Sequence, residues 1–296
     1  MTEHWGVIVN PHAGTRGGLH ERTLDALAEV GVSASVEASS SPAETSRFVG
    51  GFLDEGIRHV AVVGGDGTLN LAVDAIYQAD ITDTVTISIL PAGTGSDFAR
   101  TFALPQTVEL AVGHLRGGTD YPVDIGVLEG AWGRRAFVNI ADAGLPAATV
   151  LTAERLPRRL GPAKYQVAFW LTLPRFRAAT VRLETPKRTH EGRAIAVVFA
   201  NGQFFGGGLN VAPRAAAMDG LFDLQVIDAR IRDAPGLFPK VKRGMHLRHP
   251  AVRRLVAASF EFETDRPWPV EADGEFIGHG PISGQIVQGK VAVRLA

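Results

Sequence analysis

The 296-residue sequence has no cysteine, which excludes disulfides, thiolate metal ligands and a cysteine nucleophile, and fits a reducing cytoplasm. No run approaches the ~20 consecutive apolar residues that span a bilayer, so any membrane contact is expected to be peripheral. The first residues, MTEHWGVIVNPHAG, carry no charged leader ahead of an apolar core, and WGVIV has the length of a strand. A basic excess is missing too. With 30 Lys and Arg against 31 Asp and Glu, the formal net charge is −1, which argues against a nucleic-acid partner. A P-loop, G-x-x-x-x-G-K-[ST], and the protein-kinase loop signatures are also absent.

What remains is an ordinary globular composition, 45% hydrophobic and 21% charged, with length for two domains. Residues 1–124 alternate strand and helix patterns, which predicts a mostly parallel sheet covered on both faces. Strands are expected at residues 5–10, 33–38, 59–63 and 85–90, with helices from Leu19, Pro42, Leu69 and Asp97. Residues 125–296 change character. Segments such as AFVNI, TVRLET, AIAVVFA, LFDLQVI and SFEFET predict a mainly antiparallel second domain, with one helix around residues 165–173. The last strand-like stretch could complete that sheet or return to the first domain.

Two glycine loops follow strands in the first domain, at the sheet edge where α/β proteins bind ligands. In Gly64-Gly65-Asp66-Gly67-Thr68, the glycines let backbone N–H groups approach phosphate oxygens, and the next helix N-terminus favours negative charge. Asp66 in such an anion site calls for a cation, and Mg²⁺ is the natural one. The competing reading is a tight turn with a solvated carboxylate. The second loop, PAGTGSDFAR, runs from Pro91 to Arg100, with Asp97 placed to cap the following helix.

Five stretches carry a resemblance. They are VNPHAG, GGDGT followed by Asn70, PAGTGSDFAR, NGQFFGGGLNVAPRAAAMDGLFDLQVI and VEADGEFIG. In order and spacing the chain resembles the diacylglycerol kinase catalytic-domain family, which includes bacterial lipid kinases and sphingosine kinases. The resemblance implies an N-terminal α/β domain of the NAD kinase/diacylglycerol kinase type and a C-terminal β-sandwich, with catalysis in the cleft between them. It also implies ATP as phosphate donor and a lipid hydroxyl, of diacylglycerol or a similar lipid, as acceptor. Asn10, Pro11, His12, Ala13 and Gly14, the loop Gly64, Gly65, Asp66, Gly67 and Thr68, Asn70, and Gly93, Thr94 and Gly95 would line the nucleotide site. Ser39 matches a threonine contact of relatives.

Asp66, Asp97 and Asp124 match an acidic trio that holds the catalytic Mg²⁺, partly through water. Asp273-Gly274-Glu275 matches the motif that supplies the general base, with Asp273 favoured over Glu275. Ala216, Asp219 and Leu221 match a second, structural Mg²⁺ site, against the alternative of a plain Asp-Gly turn. Two positions depart from the family pattern. Ser96 stands where asparagine is typical, and Leu71 where glutamate is common.

Two basic stretches, residues 155–177 and 240–254, the latter with six Lys or Arg and no acid, suggest a surface that meets an anionic bilayer. The alternative is solvated charge. Trp170 and Phe176, within the first stretch, are expected in the core. Relatives include dimers and monomers, so a homodimer stays open. An NAD kinase-like enzyme and a non-catalytic nucleotide or lipid binder are the rival readings.

Overall fold

A computed structural model describes residues 3–14, 17–92, 96–105, 107–161 and 163–295. The chain divides into two compact units, residues 1–125 with 287–296, and residues 126–286. The second unit therefore stops at Ile286 rather than running to the C-terminus.

The first unit is built from β1 (His4–Val9), α1 (Leu19–Val30), β2 (Ser33–Ala38), α2 (Pro42–Asp54), β3 (His59–Gly64), α3 (Asp66–Gln78), β4 (Val85–Pro91) and α4 (Asp97–Thr101). Two further single turns, α5 (Val108–Ala111) and α6 (His114–Gly117), follow. The strands pair in parallel in the order β2-β1-β3-β4. Helices cover both faces, so the central strands are buried throughout and read as unbroken apolar runs. On one face Val7 and Val9 pack with Leu27, Val63, Leu90 and Leu115. On the other, Gly6 gives way to α2, because a Cβ there would stand 2.3 Å from the Phe52 ring.

Local sequence fixes the helix ends. Ser41 caps α2 by accepting the Glu44 N–H, Glu44 reaches back to the Ser40 N–H at 2.8 Å, and Pro42 occupies the first turn. α1 stops at Gly31, whose φ of 68° is the left-handed conformation that ends helices. α3 begins at Asp66, three residues before the expected Leu69. Asp66, Gly67 and Thr68 thus form a first helical turn, and only Gly64 and Gly65 remain extended.

The last residues return to this sheet, where Val291, Ala292 and Val293 pair in parallel with Val85, Thr86 and Ile87. Arg294 anchors the return. Its buried guanidinium donates to Glu3 at 2.8 Å and to Asp120, and lies 5.2 Å from the Trp5 ring centroid.

The second unit is a β-sandwich with helices on one outer face. Its elements are β5 (Thr119–Gly130, which enters from the first unit), β6 (Gly133–Phe137), β7 (Ile140–Gly144), α7 (Leu145–Glu154), α8 (Ala163–Thr172), β8 (Ala179–Glu184), β9 (Thr189–Ala194), β10 (Ala196–Ala200), β11 (Phe204–Phe205), β12 (Leu209–Asn210), β13 (Phe222–Ile227), α9 (Ala234–Lys242), β14 (Val252–Ala257), β15 (Ser259–Thr264), β16 (Pro269–Ala272), β17 (Glu275–His279) and β18 (Ile282–Leu295). One sheet is antiparallel in the order β14-β13-β10-β7-β16-β17. The facing layer holds β9, β8, β15 and the start of β18, with the β5–β6 hairpin.

Side chains alternate along each strand. Ala141, Ala143, Val197, Phe199, Leu224, Val226, Val270 and Ala272 therefore enter the core between the sheets. There Phe199 stacks on Phe260 at 4.3 Å and meets Phe262 edge-on at 5.6 Å. The opposite positions, Ile140, Asp142, Ala196, Val198 and Ile227, face α7, α8 and α9 across a cavity. α7 and α9 escaped the sequence reading for different reasons. α7 is apolar all round and shows no helical stripe, while α9 carries Pro235 and an internal Pro239.

Candidate active site

In the first unit the strand order places β1 between β2 and β3, so successive crossovers leave β1 on opposite sides. A sheet of this kind opens a crevice at the carboxyl ends of the strands where the order reverses. The loops predicted to hold nucleotide meet there. Asn10 turns the chain after β1, with its Oδ1 accepting the His12 N–H at 3.0 Å, and its Nδ2 donates to Thr68 Oγ1 at 3.1 Å. Gly14 has a φ of +76°, and a Cβ on it would lie 2.2 Å from the Ala92 carbonyl oxygen. The loops after β1 and β4 thus touch through a position only glycine can fill. Ala13 and Ala92 pack on the same core, while Pro11 and His12 are exposed. Gly93, Thr94 and Gly95 lie outside the described residues.

Asp66 binds the third loop in place. One carboxylate oxygen accepts from Ser96 Oγ at 2.6 Å and the Phe98 N–H at 3.2 Å, the other from the Asp97 N–H at 2.7 Å. Ser96, not Asp97, is the cap of α4, accepting the Ala99 N–H at 3.0 Å. Serine at this position is compatible with the loop because its hydroxyl serves Asp66 and the helix together. Asp97 is the first helical residue, buried, with Arg100 Nη1 3.2 Å from its Oδ1. Asp124, also buried, accepts from Gln288 Nε2 at 3.1 Å.

Ser39 is buried beside β1, with its N–H bonded to Val9 O and its hydroxyl 2.7 Å from that of Thr45, a partner sequence reasoning did not single out. Asn70 is wholly buried, and among the described residues neither its side-chain oxygen nor its nitrogen has a partner. An orphaned amide at the loop cluster is the kind of group a bound ligand or water satisfies.

These features fit a nucleotide. For a metal held by protein alone they fit less well. Among the described residues no three His, Asp or Glu side chains converge to hold an ion. Asp219 likewise bonds its own loop, with its Oδ1 accepting the Leu221 N–H at 3.0 Å and its N–H donating to Ala216 O at 3.3 Å. Those three residues are therefore brought together as a turn closed by Gly220 at φ 73°.

In the second unit Asp273 sits in the hairpin between β16 and β17 at φ 48°, a left-handed conformation uncommon for aspartate. Its carboxylate accepts three backbone N–H bonds, from Val138 at 2.8 Å and from Asn139 and Ile140 at 3.0 Å each. The Asp273 side chain is thereby held in one orientation. Glu275 pairs with Arg135 Nη2 at 2.7 Å. Glu271, next to this turn, accepts the Gly274 N–H at 2.6 Å and faces Asp142 across the β7–β16 ladder. Neither acid was anticipated from sequence. Burial pushes both up, Asp142 to about 7 and Glu271 well above the carboxylate range.

A cavity of about 250 Å³ extends from Ile140 and Asp142, between the sheet and the three helices. Its walls are mainly apolar, with Leu145, Val198, Phe169 and Leu237 among them. Burial and the nearby carboxylates of Glu271, Glu154 and Glu275 push the Tyr165 phenol at its wall up.

An α/β unit with facing glycine loops, in one chain with a β-sandwich, is the architecture of the two-domain lipid kinases. The diacylglycerol kinase catalytic domain model matches residues 4–128, and the YegS C-terminal NAD kinase beta sandwich-like domain model matches residues 139–295. The chain belongs to the diacylglycerol kinase and YegS-like family of lipid kinases. It is 28% identical to a probable lipid kinase YegS-like protein of Xanthomonas euvesicatoria, over 92% of this chain and 89% of that one. With a diacylglycerol kinase of Staphylococcus saprophyticus it shares 27% identity, over 95% and 92%. A crystal structure of a diacylglycerol kinase from Bacillus anthracis superposes with a TM-score of 0.74 at 20% identity, covering 99% of this chain and 97% of that one. This last likeness speaks to fold alone.

Proposed function

We propose that the protein is an ATP- and Mg²⁺-dependent lipid kinase that phosphorylates a hydroxyl of diacylglycerol or a similar neutral lipid. The observation that carries the nucleotide part is the meeting of three strand-end loops, through Asn10–Thr68, Gly14–Ala92 and Asp66–Ser96, around the orphaned Asn70. The related diacylglycerol and lipid kinases support the acceptor class.

Mg²⁺ keeps several waters and is held by one or two carboxylates together with nucleotide phosphates, so a cage of three acids is not required. Asp97 and Asp124 are the carboxylates we assign to it, with Asp66 ordering the loop that carries Asp97. When bound, the ion offsets charge on the phosphates. The acceptor oxygen attacks the γ-phosphorus, the bond to the β-phosphate oxygen breaks, ADP leaves, and the hydroxyl proton passes to a carboxylate. We assign that role to Asp273, because three amides fix its direction while Glu275 is tied to Arg135.

Steady-state kinetics of Asp273→Asn and Glu275→Gln test this. Loss of the base should lower kcat by roughly 10²–10⁴-fold. A larger loss in Glu275→Gln than in Asp273→Asn would transfer the role to Glu275.

We further propose peripheral attachment to an anionic bilayer through α8. No helix of the described residues is long and apolar enough to cross a membrane. α8 exposes Tyr165, Val167, Trp170 and Leu171, and Arg155, Arg159, Arg175 and Arg177 are exposed beside it. Trp170, expected in the core, is 46% exposed, whereas Phe176 does pack against Trp268. Each basic side chain near an anionic surface contributes about 1 kcal/mol. In sedimentation with phosphatidylglycerol vesicles, Trp170→Ala should lower the bound fraction. Unchanged binding would remove α8 from this role.

A further inference from the structure

The turn that carries the proposed base is held from two sides. On one, the Asp273 N–H donates to Ile140 O at 2.9 Å and its carboxylate takes the amides of Val138, Asn139 and Ile140. On the other, Glu271 Oε2 accepts the Gly274 N–H at 2.6 Å. Asp273 and Gly274 have φ of 48° and 87°, the two-residue loop of a tight hairpin. Just before it, the β16–β17 ladder shifts register between Val270 and Glu271. A bulge of this kind re-aims a side chain, and the Glu271 carboxyl beside it reaches back to the turn.

Glu271 is wholly buried and faces Asp142, 1% exposed, its cross-strand partner on β7. The two carboxyls bond each other, which requires a proton on one of them. Asp142 also takes the Ala147 N–H in the first turn of α7, where a helix favours the anion. The proton therefore belongs to Glu271, which burial and the charges of Asp142 and Asp273 raise well above the carboxylate range. Protonated, Glu271 gives its O–H to Asp142 while its other oxygen accepts from Gly274. Ionised, it loses the first bond and sets a further negative charge beside Asp273. Asp142 Oδ1 and Glu271 Oε1 have no other partner among the described residues.

The charged and titratable groups around the pair are Asp273, Glu275 with its partner Arg135, His279 at the far end of β17, Tyr165 on α8 and Glu154 on α7. β10, on the other side of β7, brings none. Arg230 and Lys242 line the cavity that Asp142 borders, and among the described residues neither pairs with it. Two buried acids without a cation destabilise a fold that an apolar pair would stabilise, so packing gives no reason for them.

We propose that Glu271, protonated and braced by Asp142, is a positioning residue that locks the Asp273–Gly274 turn and so sets where the base points. This role rests on the reading of Asp273 as the base of a lipid kinase. A displacement of about 1 Å at a reacting group can cost about 10²-fold in rate, so a lock on this turn has a kinetic consequence. Glutamine can do the same two things without a titratable proton, since it offers an N–H to Asp142 and an oxygen to Gly274.

Kinetics against pH and hydrogen–deuterium exchange at the Val138, Asn139, Ile140 and Gly274 amides, both on the full chain, test the lock. Glu271→Leu should lower kcat by about 10–100-fold and leave the KM for ATP within about twofold. Exchange at those amides should speed up by about tenfold or more in the same variant. Glu271→Gln should restore both. Wild-type kcat should fall on the alkaline side as Glu271 loses its proton, and Glu271→Gln should remove that fall. Wild-type exchange or wild-type kcat in Glu271→Leu overturns the proposal, as does a Glu271→Gln as impaired as Glu271→Leu. If Glu271→Leu does not fold, the pH profiles of wild type and Glu271→Gln decide, and identical alkaline limbs overturn it. Exchange that follows the expected pattern, with no transfer to any lipid, would refute the kinase reading and leave the lock on the turn standing.

Discussion

Asp66 shows how one carboxylate can organise a loop. It sits in the first turn of α3, where a helix favours negative charge, and accepts the hydroxyl and two amides that open α4. The motif was legible in sequence as a glycine turn with an acid, but its partners were not, because they come from a loop thirty residues on. Asp142 and Glu271 were further out of reach. Only the register of β7 against β16 makes them neighbours, and no local pattern encodes it. Their pairing has a consequence for stability. The folded chain holds the Asp142 proton to about pH 7, whereas the ordinary value is 3.8. Between about pH 4 and pH 7 the folded state therefore binds more protons than the unfolded one, and stability falls as pH rises. The slope is at most about 1.4 kcal/mol per pH unit for one proton. Urea unfolding at pH 4.5 and 7.5 should show this fall in wild type and a flatter response in Asp142→Asn. Equal slopes in both would remove Asp142 as the source.

At the scale of elements, the strands and loops of the first unit were readable because parallel strands buried on both faces are continuous apolar runs that end in glycine. Helix starts were less so. α3 begins within GGDGT, where Gly67 reads as loop in sequence although it lies in the first helical turn. The sandwich strands announced themselves by alternation, while α7 and α9 lacked an amphipathic stripe or carried proline, and with them the cavity stayed hidden. The contact between the loops after β1 and β4 hangs on Gly14. Alanine there meets a carbonyl oxygen at 2.2 Å in a left-handed conformation. Gly14→Ala should therefore destabilise by about 1–3 kcal/mol and raise the KM for ATP more than that for lipid. An unchanged ATP KM would show that these loops do not shape the nucleotide site.

At the scale of the whole molecule, the two units divide the labour. The first unit carries the loops we assign to nucleotide, and the second carries the oriented Asp273, the acid pair and the apolar cavity. The C-terminal return, held by Arg294 between Glu3 and Asp120, ties the last strand to the first unit, which the sequence left open. The family model that matches the second unit describes an NAD kinase beta sandwich-like domain, so the acceptor is the decisive question. Transfer of labelled γ-phosphate from ATP, with Mg²⁺, to a panel of neutral lipids in mixed micelles and to NAD answers it most directly. Label is expected on a hydroxyl-bearing lipid and not on NAD, with transfer lost on adding chelator and lost in Asp273→Asn. Label on NAD, or lipid label that survives Asp273→Asn undiminished, would contradict it.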